Sequence, residues 1–93
     1  MTDYVPKDAI DFREYLESIL KKYNLTASEF ARQLDVNRST ISLYRSGDRL
    51  PNCEIITQMA LYLVSLGEGG FNPLVREIVY CVHVSQMRKA ERS

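Results

Sequence analysis

Cysteine is scarce in this chain of 93 residues: only Cys53 and Cys81 occur, with no C-x-x-C spacing. Reduced, buried thiols of a cytoplasmic protein are therefore the expectation, with a bridge between the two left open. Histidine is scarcer still. His83 stands alone among apolar residues with no partner nearby in sequence, which suits a packed or interface side chain better than a general base. There is no H-E-x-x-H pair, no acidic calcium loop and no glycine-rich phosphate loop after a strand. The Gly67-Glu68-Gly69-Gly70 stretch lacks the lysine that a nucleotide loop needs. No catalytic residue, metal, cofactor or small-molecule ligand is implied, and enzyme ranks lowest among the function classes.

Long apolar runs are missing too. Met59 to Leu66 is the longest, is interrupted by Ser65 and ends at a glycine, so it is too short to span a membrane. The N-terminus is acidic and has no apolar signal core. The few prolines and glycines fall at segment ends, and no repeat or low-complexity stretch appears. One small domain with a single core is the expectation, of a size at which self-association often adds stability. Excess charge of either sign is also absent: twelve basic residues balance twelve acidic ones. A protein that neutralises nucleic-acid phosphates usually shows a basic excess, so any basic face must be local. Between Leu25 and Asn52, Arg32, Arg38, Arg45 and Arg49 stand against Glu29, Asp35 and Asp48, whereas Asp3, Asp8, Asp11, Glu14 and Glu17 load the N-terminal region.

What is present is helical patterning. Phe12, Leu16, Ile19, Leu20 and Tyr23 form a stripe on a first helix begun by Asp8 or a neighbour, with Lys21 and Lys22 favouring its C-terminal end. Thr26 and Glu29 read as a capping box for a second helix whose apolar face is Phe30, Ala31 and Leu34. Asp35-Val36-Asn37 breaks the period, with Val36 plugging the turn into the core. Asn37 then starts a third helix that buries Ile41 and Tyr44. Its outward face is Arg38, Ser39, Ser42, Leu43 and Arg45, hydrogen-bonding groups with one aliphatic, which no core requires. Such a face suits a DNA major groove, and it equally suits an ordinary helical hairpin with a solvated exterior.

The stretch resembles the lambda-repressor-like helix-turn-helix family, also called the Xre or Cro/C1 type. Thr26, Glu29, Phe30, Ala31, Leu34, Val36, Ile41, Tyr44, Gly47 and Pro51 all stand where that family places them, and with flanking helices the likeness covers residues 10–67. Departures are informative. Asp35 replaces a glycine at a turn position that often needs the left-handed conformation, which Asp tolerates better than most. Ala27 replaces a glutamine that reaches the phosphate backbone. Arg45 replaces a common glutamate while Leu20 stands at its arginine partner's place, so both halves of a frequent ion pair are absent and Arg45 is left to contact phosphate.

The resemblance implies sequence-specific binding of double-stranded DNA and transcription regulation, as a repressor, by a homodimer on two half-sites about one helical turn apart. It assigns Arg38, Ser39, Ser42 and Leu43 to base readout, with Arg38 first because its guanidinium can bond guanine O6 and N7 together. Thr26, Ser28, Asn37, Arg45, Ser46 and Arg49 are assigned to phosphate. The rival reading is a protein-interaction module, an antirepressor or antitoxin, that keeps the fold but meets a protein partner. Zero net charge, Ala27 and exposed Leu43 favour it.

Asn52 caps a fourth helix with a wide apolar arc: Ile56, Met59, Ala60 and Leu63, flanked by Ile55, Tyr62 and Leu66. Gly67 ends it. Asn72 as cap and Pro73 as first residue open a last helix over Leu74 to Ser85, although Ile-Val-Tyr-Cys-Val-His-Val favours a strand by propensity. Val75, Ile78, Val79 and Val82 on this segment are the expected dimerisation surface. The expected architecture is all-α with five helices: an N-terminal arm at 1–9, the helix-turn-helix unit at 10–67 with its recognition helix at about 38–45, and at 68–93 an extension ending in a polar tail.

Overall fold

In the computed structural model, which describes residues 9–92, five helices follow one another: α1 (Phe12–Lys22), α2 (Ala27–Leu34), α3 (Arg38–Ser46), α4 (Cys53–Ser65) and α5 (Phe71–Arg92). The arm at 1–9 and the capping role of Asp8 fall outside the described residues, Ala9 excepted. Asp11 is the residue that starts α1. Its Oδ1 accepts from the Glu14 N–H and the Glu14 carboxylate accepts from the Asp11 N–H, both at 2.9 Å, closing a reciprocal capping box. At α2 only half of the expected box forms: Thr26 Oγ1 accepts from the Glu29 N–H at 3.1 Å. Asn52 caps α4 as expected, through Oδ1 and the Ile55 N–H at 2.9 Å.

One closing device ends α1 to α4. Asn24, Asp35, Gly47 and Gly67 all take positive φ, at 52°, 57°, 87° and 84°. The residue after each sends its N–H back to a carbonyl of the preceding helix: Leu25 to Leu20, Val36 to Ala31, Asp48 to Leu43 and Glu68 to Leu63, at 2.8 to 3.0 Å. These bonds satisfy carbonyls that a helix end leaves free. Leu25 and Val36, which follow the turn, pack against the core. Asp35 is strained where glycine would be at ease. Asp35→Gly is accordingly expected to stabilise the fold by about 0.5–1 kcal/mol, read as a raised urea midpoint at unchanged slope.

The helices bury the expected stripes. Phe12, Leu16, Ile19 and Leu20 of α1, Phe30, Ala31 and Leu34 of α2, Ile41 and Tyr44 of α3, and Ile56, Met59, Ala60 and Leu63 of α4 all join one core. Tyr15 joins it too, a position the stripe did not include, while Tyr23 stays half-buried. The Phe12 ring meets Tyr44 edge to face at 5.7 Å between centroids, tying α1 to α3.

The C-terminal segment is a helix, and it runs through the polar ending to Arg92. Leu74, Ile78 and Cys81 recur on one face and are fully buried against α1 and α4, so packing at the helical period overrides the strand propensity of the β-branched run. Asn72 is not the cap. The helix begins at Phe71, with the Leu74 N–H bonded to the Gly70 carbonyl, and Pro73 occupies the third position, where an N–H would have no helical acceptor. Polar ties fasten the far half of α5 to the start of α1: Ser85 Oγ accepts from the Phe12 N–H at 2.8 Å, and Arg88 donates to Asp11 at 3.3 Å and Glu14 at 2.7 Å. The Asp11 backbone bond, then Arg88, hold the Glu14 carboxyl below its ordinary value. Cys81 is buried as expected, and desolvation first and Glu77 second push its thiol up to about 11. Cys53 is not buried: it is the exposed first residue of α4, and both thiols are free.

Candidate nucleic-acid interface

The α2-turn-α3 unit is built to hold α3 against α1 and α2 with its outer face open. Ile41 is fully buried and Tyr44 nearly so, which fixes α3 about its own axis. Positions between them must then point outward. Arg38, Ser39 and Ser42 are exposed, and Leu43 is half-buried rather than fully outside. Arg38 opens the helix, where unpaired N–H groups favour an anion, and it makes no ion pair among the described residues.

The assigned phosphate contacts divide by how their polar atoms are already used. Asn37 occupies the N-cap of α3 with no side-chain cap bond, so its amide remains available to a ligand. Ser28 and Arg49 are exposed and make no side-chain hydrogen bond or ion pair among the described residues. Thr26 Oγ1 is the cap of α2 and keeps its hydroxyl proton for another acceptor. The Ser46 hydroxyl is exposed but already engaged, bonded to the Leu43 carbonyl at 3.0 Å and the Asp48 carboxylate at 2.8 Å.

Arg45 departs from its expected role. Its Nε donates to Glu17 Oε1 at 2.5 Å and its Nη2 to Oε2 at 3.4 Å, so it is held by α1 rather than left for phosphate. Leu20, at the family's arginine position, is buried in the core. The α1–α3 ion pair is therefore present with its polarity exchanged and its α1 end at Glu17. Both side chains are about half exposed, so its strength is that of a surface pair, of order 0–1 kcal/mol and screened by salt. Nothing in the local sequence signals a partner twenty-eight positions away.

The expected dimerisation set also splits. Ile78 is fully buried in the monomer core and is lost from any association surface; Val75 and Val82 are half-buried, and Val79 is 48% exposed. Sequence reasoning missed other large apolar side chains that the fold leaves exposed: Phe71 at the start of α5, and Leu61 and Val64 on α4. No helix among the described residues is long and apolar enough to cross a membrane.

A family model described as Helix-turn-helix matches residues 16–63, from the second turn of α1 to the last turn of α4 and just over half of the chain. No curated protein and no solved structure matches it. The matched span contains every residue assigned above to base or phosphate, and α5 lies beyond it.

Proposed function

The chain belongs to the helix-turn-helix family of the Xre/Cro/C1 type and is a DNA-binding transcription regulator of that family, and from that premise we propose that it is a repressor that occupies an operator as a homodimer. The observation that carries the reading is the outer face of α3, where Arg38, Ser39 and Ser42 are exposed on a helix fixed by buried Ile41 and Tyr44. Arg38 reads a guanine, Ser39 and Ser42 bond neighbouring base edges, and Leu43 packs its exposed edge on a thymine methyl. Thr26, Ser28, Asn37 and Arg49 hold the backbone and set the register. Arg45 joins them only by exchanging Glu17 for a phosphate.

Zero net charge keeps the phosphate contribution of one subunit small, which favours two subunits on an inverted repeat. The apolar surface of Phe71, Val75, Val79 and Val82 on α5, together with Leu61 and Val64 on α4, supports the pairing of two copies. Val79→Asp is expected to leave the helical spectrum unchanged and convert a dimer to a monomer by sedimentation. A parent that sediments as a monomer at operator-binding concentrations removes the homodimer from the proposal.

Selection from random duplex DNA at two salt concentrations tests the whole reading. Recovery of an inverted repeat, with affinity falling steeply as salt rises, is the expected result. Folded protein that enriches no sequence would instead support the protein-interaction reading, for which the neutral charge and Ala27 speak.

A further inference from the structure

A cleft of about 570 Å³ opens beside the end of α3, walled by the first turn of α1, the segment after α3 and the far half of α5. Its charged lining is Asp11, Arg13, Asp48, Arg49 and Lys89. The carboxylates are engaged: Asp11 caps Glu14 and holds Arg88, and Asp48 accepts the Ser46 hydroxyl. Arg13 and Arg49 are exposed and make no ion pair among the described residues. The charge left unanswered in the cleft is therefore that of two guanidiniums, whose flat, forked N–H groups match the oxygens of a phosphate.

The walls are also fixed. The Ser85–Phe12 hydrogen bond and the Arg88 contacts set α5 against the start of α1, and the Phe12–Tyr44 ring contact sets α1 against α3. Arg13 follows Phe12 directly, so its stem starts from an anchored backbone, and Arg49 leaves a segment whose N–H is bonded to the Leu43 carbonyl at 3.3 Å. Sites set in advance in this way lose less entropy on binding. Ser46, the last residue of α3, and Gly47 to Arg49 after it line the cleft, so it opens at the C-terminal end of the helix assigned to the major groove.

We infer that this cleft is a second phosphate site, in which Arg13 together with Arg49 grips a backbone phosphate of the bound DNA and extends the footprint from the helix-turn-helix unit onto α1. The inference rests on the DNA-binding reading of α3. It adds Arg13, which lies before the span shared with the family model, and it predicts a contact blind to base sequence.

The test measures the salt dependence of DNA affinity for the full chain by fluorescence anisotropy, on the selected duplex and on one of scrambled sequence. Arg13→Ala is expected to reduce the slope of log affinity against log salt by about 0.9 for each bound subunit and to weaken both duplexes alike, with Arg13→Lys retaining the slope. Arg76→Ala, an exposed position on α5 away from the cleft, is expected to match the parent. A parent that binds steeply while Arg13→Ala keeps its slope overturns the inference and leaves the DNA-binding reading standing. A parent that binds no duplex overturns both. Titration of the DNA-free protein with inorganic phosphate, followed by NMR, supplies the other arm. Saturable shifts at Arg13 and Arg49 combined with an unchanged DNA slope would assign the cleft to a free phosphate-bearing ligand and overturn the backbone contact.

Discussion

Arg38→Glu is expected to lower operator affinity by at least about 100-fold while leaving fold and association state as they are. A lost bidentate contact to guanine alone amounts to about 1–3 kcal/mol, and a carboxylate aimed at the phosphate-lined groove adds repulsion. The fold has little reason to respond. Arg38 is exposed, makes no ion pair among the described residues, and stands at the first position of α3, where a negative side chain suits the helix dipole. Anisotropy titrations against the selected duplex, beside circular dichroism and sedimentation, check all these points. The loss should be greatest on the duplex carrying the base that Arg38 reads, unlike the uniform weakening expected from Arg13→Ala. Unchanged affinity in Arg38→Glu would remove α3 as the reading helix.

Phe30→Ala is expected to cost about 3–5 kcal/mol, against total stabilities of about 5–15 kcal/mol for domains of this kind, and so to bring the chain close to unfolding. Phe30 is fully buried, and its ring lies 5.9 Å from that of Tyr62, where it joins α2 to α4. Removing it leaves a cavity between the two helices that hold the turn, so operator binding should fall with the folded fraction. The urea midpoint gives the measurement. Gln33→Ala serves as the contrast, because Gln33 is exposed on α2 and its truncation should shift stability by no more than about 0.5 kcal/mol. Equal losses in the two variants would contradict the burial pattern on which the fold is described.

Most of the helical scaffold was legible because its signals are local. Thr26 before Glu29, Asn52 before Ile55 and glycine at 47 and 67 act within one turn of the chain. Stripes such as Ile56, Met59, Ala60 and Leu63 repeat at the helical period whatever they pack against. Asp35 was readable for the same reason: its left-handed conformation is a property of one turn. Local reading missed where two local choices compete. Asp11 caps α1 where the pattern named only Asp8 or a neighbour, and Gly70 rather than Asn72 precedes α5, because packing decides which carbonyl and N–H come within reach.

The sequence by itself determined helix positions, the turn between α2 and α3, the main core residues and the polar outer face of α3, since each follows from residues three or four apart. Only the tertiary structure decided that the last helix starts at Phe71 and runs on to Arg92, that Ile78 belongs to the core, and that Glu17 holds Arg45. It alone joined Ser85 and Arg88 to the start of α1 and set Arg13 and Arg49 on the walls of one cleft. Those pairings depend on the angles and depths at which helices pack, and these are set by the summed fit of side chains from distant segments.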